Sequence, residues 1–169
     1  ESKYGNGKQI TRQETINPDT SDYIFFENIL DVNTTFENGI YVYTQLEYSN
    51  PPIFGTTLKG INSAYMEYLG DNYDVKIGNL YSLYGRGLSL NMSQDQTIDF
   101  DNSVIGIELK YSLNDFNFFL LSGVSQFNYR SNPTQIEADL YLRNLLGFLG
   151  VDYYSESLGS FQYTFLNEN

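Results

Sequence analysis

Apolar and polar side chains alternate along several long segments of this chain. The alternation is clearest in four ranges, Tyr23 to Phe36, Gly39 to Tyr48, Val104 to Leu113 and Thr134 to Arg143. Because successive side chains of a β-strand point to opposite faces, each range predicts a strand with one apolar face and one polar face. Three of the ranges have ten residues and the first has 14, so each is long enough for a tilted strand to cross a membrane, which takes about 9–11 residues.

The first two of these segments predict a hairpin. The turn between them is Glu37-Asn38-Gly39, and Asn and Gly tolerate the positive φ that a tight hairpin needs. The predicted apolar face of the first strand carries Ile24, Phe26, Leu30, Val32 and Phe36, and its polar face carries Glu27, Asp31, Asn33 and Thr35. In the second strand Ile40, Val42, Thr44, Leu46 and Tyr48 oppose Tyr41, Tyr43, Gln45 and Glu47.

Further strands bring the predicted total to eight or nine, and the short turns between them favour an antiparallel up-and-down order. Residues 1–22 are polar and predict an arm or loop before the first strand, while residues 23–169 carry the strands. The range Leu140 to Leu149 fits either a strand or a short helix. The additional predicted strands are Ser63 to Leu69, Tyr73 to Tyr81, Tyr84 to Met92 and Phe116 to Tyr129.

Two all-β architectures fit this pattern. In a soluble β-sandwich the apolar faces meet in a dry core, which would bring Phe26, Val42, Ile107 and Leu140 together. In a transmembrane β-barrel they face lipid, and aromatic side chains concentrate at the two membrane surfaces. The chain has 16 Tyr and 12 Phe, and its strands are longer than the about 5–6 residues usual in globular proteins. We therefore predict an antiparallel up-and-down transmembrane barrel, or the N-terminal part of a larger one.

Composition and charge exclude several classes of protein. No apolar run approaches the roughly 20 residues of a membrane-spanning helix, and a net charge of -12 opposes binding to nucleic acid. The absence of Cys excludes disulfides. The first residues lack the layout of a secretion signal, and we expect a signal peptide to have been removed.

The residues offer little for catalysis. Without His or Cys the chain cannot form a Ser-His-Asp or Cys-His site, and the usual zinc ligands are missing. Asp99 and Asp101 could pair as carboxylates, and Asp95 and Asn102 could join them around Ca²⁺, but the spacing is not that of an EF-hand. A solvated acidic loop is the favoured interpretation, and no catalytic, cofactor or metal site is predicted.

In the barrel interpretation the charged residues of the polar faces line the interior or its rim. An acidic interior of this kind favours cations through its electric field. Arg86 belongs to the set because a guanidinium facing lipid at mid-depth costs about 2–4 kcal/mol, and its candidate partners are Glu67, Asp99 and Asp101. The predicted lumen or rim residues are Glu27, Glu47, Asp74, Lys76, Arg86, Glu108, Lys110, Glu137, Asp139 and Arg143.

Two motifs carry a resemblance to a known family. The segment Gly78-Asn79-Leu80-Tyr81-Ser82-Leu83-Tyr84-Gly85-Arg86-Gly87-Leu88, followed by Asp99-Phe100-Asp101-Asn102-Ser103-Val104-Ile105-Gly106, resembles a family of uncharacterised outer-membrane barrel proteins of Bacteroidetes with the pattern GNFYxxFGxGL … DNxxxG. The likeness covers roughly Tyr23 to Arg130. It implies a bacterial outer-membrane location and a barrel, and it implies no activity.

The expected function is therefore that of a non-enzymatic outer-membrane β-barrel protein. It would act as a pore, or as a scaffold subunit of a larger secretion or uptake complex, with membrane lipid and other envelope proteins as partners. The alternative is a secreted β-sandwich that binds carbohydrate through exposed tyrosines such as Tyr41, Tyr43, Tyr153 and Tyr154.

Overall fold

The computed structural model describes residues 1–11, 19–51, 57–95, 100–129, 140–157 and 159–169. The described part is almost entirely β-structure, with one short 3₁₀ turn, η1, at Gly85–Gly87. The strands are β1 (Ser2–Thr11), β2 (Asp19–Thr35), β3 (Ile40–Ser49), β4 (Leu58–Leu69), β5 (Tyr73–Leu80), β6 (Leu83–Tyr84), β7 (Leu90–Asn91), β8 (Gln94–Asp95), β9 (Phe100–Asp101), β10 (Val104–Leu113), β11 (Phe116–Tyr129), β12 (Leu140–Ser155) and β13 (Gly159–Glu168).

Nine of these strands form one antiparallel sheet in the order β1-β2-β3-β4-β5-β10-β11-β12-β13. Each strand pairs with its neighbour in this order, so the predicted up-and-down topology is confirmed. The first turn is as predicted, with Gly39 at φ 86°, and Asn114 takes φ 53° in the turn between β10 and β11. In the described residues β1 and β13 do not pair with each other, so the sheet is not closed.

The register assigns each residue to one of two faces. We call the face that carries Asp31, Gln45 and Glu108 the inner face, and the opposite face, with Leu30 and Ile107, the outer face. On the outer face of β10, Ile105, Ile107, Leu109, Tyr111 and Leu113 are all exposed. The predicted alternation is therefore present in the fold, and its apolar side is the uncovered one.

Three glycines lie side by side on the inner face, at paired positions of three neighbouring strands. Gly78 pairs with Gly106, and Gly106 pairs with Gly123. A Cβ atom on Gly123 would lie 2.8 Å from the Cα of Gly106, and one on Gly78 would lie 2.8 Å from the Cα of Tyr65. Gly78 also takes φ 116°, a conformation that favours glycine. The row permits a close approach of backbones and a bend of the sheet.

The chain leaves the sheet after Leu80 of β5 and returns to it at Val104 of β10. We call residues 81–103, of which 81–95 and 100–103 are described, the insertion. They contain the two small hairpins β6–β7 and β8–β9. Tyr84 and Met92 of the insertion are buried against inner-face side chains, and Leu90 packs on the same group. The other buried apolar residues of this cluster are Leu80, Val104, Phe119, Leu121, Leu146 and Phe148. The main core of the described chain therefore lies between the insertion and the inner face.

The structure differs from the sequence expectations at two places in the fold, and it decides one choice that the sequence left open. The predicted arm over residues 1–22 contains β1, which pairs with β2. The predicted strand Tyr84 to Met92 is instead two short strands and η1, because the positive φ of Gly85, Arg86 and Gly87 breaks an extended chain. The range Leu140 to Leu149, for which the sequence allowed a strand or a helix, is part of the strand β12. Residues 134–139 of a fourth predicted alternation lie outside the described residues.

Candidate functional site

The insertion crosses the inner face, and hydrogen bonds from its described residues anchor it at one side, in the middle and at the other side of the sheet. At one side, the Gln94 Nε2 donates a hydrogen bond to the Gln45 Oε1 on β3, at 3.4 Å. At the other side, the Thr164 Oγ1 on β13 donates to the Ser89 Oγ, at 3.3 Å. Between them, the Tyr84 hydroxyl donates to the Glu108 Oε1 on β10, at 2.6 Å. The insertion therefore occupies the space in front of the inner face from the third strand of the sheet to the last.

The middle anchor combines aromatic packing with a buried carboxylate. The Tyr84 ring stacks on Phe119 with the centroids 4.4 Å apart, and it lies 4.9 Å from Phe148. Glu108 is only 3% exposed, and its second oxygen, Oε2, lies 3.4 Å from the Lys110 Nζ. A buried carboxylate needs such partners because desolvation of an unpaired charge is costly.

Burial also changes the acidity of two tyrosines of the insertion. Desolvation, together with the hydrogen bond to Glu108, raises the pKa of Tyr84 above its usual value. Desolvation and the nearby Asp101 carboxylate raise the pKa of Tyr81 to about 12, and the Tyr81 hydroxyl donates to the Asp101 Oδ2 at 3.0 Å. Both phenols therefore remain protonated donors at neutral pH.

A second group of inner-face residues lies beside the insertion, on β2, β3 and β4. Its centre is Gln45, which is 1% exposed. The Gln45 Nε2 donates to the Asp31 Oδ1 at 2.8 Å, and the Gln45 Oε1 accepts from the Asn62 Nδ2 at 2.9 Å. Asn62 also donates to the Glu47 Oε2 at 3.0 Å. A register irregularity between Gln45 and Leu46 lies opposite Asn62 and brings this amide onto the inner face.

Acidic side chains outnumber basic ones on the inner face of the described strands. The register places Glu27, Asp31, Glu47, Glu67, Asp74, Glu108, Asp152 and Glu168 on this face, against Lys3, Lys76 and Lys110. Lys110 forms an ion pair with Glu108, and Lys3 forms one with Glu1. The face therefore presents a net negative field.

Six of the ten residues predicted for a lumen or its rim lie on the inner face. These are Glu27, Glu47, Asp74, Lys76, Glu108 and Lys110. Arg86 is an exposed residue of the insertion, and the structure gives it no ion pair with Glu67 or Asp101. Asp99, Glu137 and Asp139 lie outside the described residues.

Arg143 differs from the expectation, because the register places it on the outer face. It pairs with Gln126, and its Nε donates to the Gln126 Oε1 at 2.9 Å. The cause is the phase of β12, in which Leu146 and Phe148 point inward and position 143 therefore points outward. Arg143 lies near the start of β12, where a guanidinium can extend beyond the apolar part of the face.

Sequence reasoning missed the central residues of the two parts of the site, namely Tyr84 in one part and Gln45 and Asn62 in the other. Tyr84 was expected in a strand, and Gln45 was only one of several polar positions of an alternating strand. Gln45 and Asn62 gave no separate signal because uncharged amides are common on any polar face. The one available signal was the cluster of glycines around Tyr84, which marks a break from strand geometry.

The outer face has its own organisation. Short turns such as Gly70 to Asn72 and Asn114 to Asp115 lie at one end of the sheet. Outer-face aromatic residues are concentrated next to this end, and a smaller group lies toward the other end. Aliphatic residues such as Leu30, Ile107 and Leu120 fill the space between. The first group is Tyr68, Tyr73, Tyr111, Phe116, Tyr153 and Phe161, and the second is Tyr4, Phe26 and Tyr48.

Two kinds of feature are absent from the part of the chain that the structure describes. Across the described ranges, no helix has the length and apolar character needed to cross a membrane. Likewise, no group of three or more acidic, His or Cys side chains in the described part is arranged to hold a metal ion.

The fold and the site together define an all-β protein built on one large antiparallel sheet, with an insertion packed across its polar face. Residues 6–160 match the family of unknown function DUF6029, and the chain belongs to this family. Neither the curated proteins nor the solved structures gave a match to the chain.

Proposed function

We propose that the chain forms the wall of a bacterial outer-membrane β-barrel, and that it acts without catalysis as a pore or as a scaffold subunit of a larger secretion or uptake complex. The observation that supports the proposal is the exposed apolar outer face with aromatic residues toward its ends. In outer-membrane barrels an apolar band about 25 Å tall is bordered by aromatic girdles. The outer-face residues from Ile105 to Leu113 extend about 27 Å along β10 at the usual rise per residue.

The exposure of this face favours the barrel over a sandwich. Phe26 and Ile107 are 38% and 46% exposed, and no second layer covers the outer face in the described residues. A soluble protein rarely leaves an apolar patch of this extent in water. In hydrocarbon the same face needs no cover, and lipid is then its partner.

A closed sheet is part of the proposal. Unpaired backbone groups at a sheet edge cost several kcal/mol each in lipid, so only a closed sheet is stable there. The outer edges of β1 and β13 must therefore be paired in the membrane. The insertion would lie inside the barrel and narrow its interior, and the acidic inner face would favour cations.

The absence of cysteine allows a direct test of the two faces. Ile77 and Asp74 lie on the same strand, β5, on the outer and inner face respectively. We would introduce Ile77→Cys and Asp74→Cys separately, reconstitute the protein in liposomes, and measure the rate of reaction with a charged, water-soluble maleimide. We expect Cys at position 74 to react and Cys at position 77 to be protected until detergent is added. Equal rates at the two positions, or a protein that is monodisperse without detergent, would contradict the proposal.

A further inference from the structure

Three tyrosines lie together on the inner face, at positions that the buried core does not use. Tyr41 and Tyr43 are on β3, and Tyr65 is on β4, where it pairs with Tyr43. The ring centroids of Tyr43 and Tyr65 are 5.1 Å apart, and those of Tyr41 and Tyr65 are 5.9 Å apart. We call these three residues the tyrosine ledge. All three are partly exposed, and none belongs to the buried cluster under the insertion.

The ledge is bordered by groups that donate and accept hydrogen bonds. The Tyr43 hydroxyl donates to the Asp31 Oδ1 at 2.7 Å, and Gln45 donates to the same oxygen. Because both bonds use Oδ1, the Oδ2 of this exposed carboxylate can accept from a ligand. On the other side, the Lys76 Nζ lies 3.9 Å from the Tyr65 ring centroid and adds a cationic donor.

The border of the ledge is held in place by hydrogen bonds that meet at the buried Gln45. Gln45 is fixed by Asn62 from β4 and by Gln94 from the insertion. Asp31 and Tyr43 are in turn bonded to Gln45. Side chains that are fixed before binding lose less conformational entropy when a ligand arrives. The ledge is therefore a preformed surface and not a set of independent side chains.

This combination matches one class of ligand. A pyranose ring has an apolar C–H face, which packs on an aromatic ring, and an edge of hydroxyls, which bond to carboxylates, amides and ammonium groups. The acidic surroundings, with Glu47 and Glu67 on the same face, disfavour an anionic ligand. We infer that the tyrosine ledge is a binding subsite for neutral oligosaccharides. This inference rests on the proposed function in one respect: the water-filled interior of the barrel gives sugars access to the ledge.

The test is a binding titration of the full chain in detergent micelles. The probes are maltohexaose and cellohexaose as neutral oligosaccharides, and trigalacturonic acid as an anionic one. The readouts are heat by isothermal titration calorimetry and intrinsic tyrosine fluorescence, which no Trp obscures in this chain. We expect saturable binding of at least one neutral hexasaccharide, and weaker binding of the galacturonide.

Variants locate the site. The loss of one aromatic contact should weaken binding about tenfold for Tyr41→Ala or Tyr65→Ala. Tyr65→Phe keeps the ring and should bind within about threefold of the native chain, a difference below 1 kcal/mol. Tyr163→Ala is the matched control, because Tyr163 is an exposed tyrosine of the outer face. Asp31→Asn, which preserves the shape of the border, should also weaken binding, and it tests the ledge if an alanine variant fails to fold.

Three results would overturn the inference. The first is that neither neutral hexasaccharide binds, and the second is that the galacturonide binds as tightly as the neutral hexasaccharides. The third is that Tyr41→Ala, Tyr65→Ala and Asp31→Asn all bind the hexasaccharide with the affinity of the native chain. The barrel proposal is tested separately by the need for detergent. If the chain is soluble without detergent, the barrel is wrong and the same titration is carried out in buffer.

Discussion

At the scale of single residues, the arrangement around Glu108 shows how a polar group is accommodated in the main core. The carboxylate is buried, one oxygen accepts from the Tyr84 hydroxyl, and the other lies near Lys110. Tyr84 also supplies the ring that packs on Phe119. One side chain of the insertion thus provides both apolar contact and a hydrogen bond to the sheet.

Tyr84→Phe separates these two contributions. The ring remains, but Glu108 loses a donor, and a buried acceptor without its partner costs about 1–3 kcal/mol. We expect the free energy of unfolding, measured by urea titration in micelles, to fall by about this amount. Tyr154→Phe is the control, because Tyr154 is 58% exposed and should leave stability unchanged. Equal effects of the two substitutions would show that the bond to Glu108 contributes nothing.

The sequence predicts residue positions well where they follow the period of a strand. Asp31, Glu108 and Lys110 were placed on a polar face by alternation alone, and the register puts them there. Arg143 was misplaced because the strand that contains it begins at Leu140 and carries both apolar and polar residues on each face. The contacts of Tyr84 could not be predicted, since they join residues far apart in the chain.

At the scale of elements, Gly78, Gly106 and Gly123 form a row of paired positions across the neighbouring strands β5, β10 and β11. The close backbone approach at these positions leaves no room for a side chain. Strands β5, β10 and β11 can therefore bend together at this row, directly below the insertion that leaves from Leu80 and returns at Val104. The row could not be predicted from the sequence, because it depends on the register of three strands.

Gly106→Ala tests the row against a glycine in open surroundings. A Cβ on Gly106 would lie 2.6 Å from the Cα of Gly123, whereas one on Gly147 would meet no heavy atom closer than 4.0 Å. Overpacking of this kind destabilises by about 1–3 kcal/mol. We expect Gly106→Ala to lower the urea midpoint of unfolding and Gly147→Ala to leave it unchanged. Equal midpoints would mean that the row is not needed for the fold.

The elements themselves were largely predictable, with instructive exceptions. Strands such as β3 and β10 have strong alternation because they separate an apolar surface from a polar one. The strand β1 lacks this signal, since Gly5 and Gly7 occupy its inner face and Asn6 and Lys8 its outer face. Its pairing with β2 comes from backbone hydrogen bonds, which any sequence can make. The insertion was missed because its small hairpins have only two residues per strand.

At the scale of the whole molecule, the proposed barrel has an interior that the insertion narrows. Leu80 and Val104 are paired neighbours, so a two-residue Asn-Gly turn could join them in place of residues 81–103. We expect this deletion to raise the single-channel conductance in planar bilayers several-fold over the intact chain, because the interior is then unobstructed. Under a salt gradient, the reversal potential should indicate a preference for cations, owing to the acidic inner face.

A change at the opposite end of the sheet provides the control for this deletion. Asp115→Gly alters only the turn between β10 and β11 and should leave the conductance as it is in the intact chain. A deletion variant with unchanged conductance would contradict the obstruction of the interior. A preference for anions would contradict the role of the acidic inner face.

The three anchors of the insertion also have a consequence for the order of assembly. One anchor lies on β3, upstream of the insertion, and another on β13, at the far end of the sequence. The insertion cannot dock completely until the last hairpin has joined the sheet. Docking is therefore a late event in folding, and protection of residues 81–103 from a protease would report that the final strands are in place.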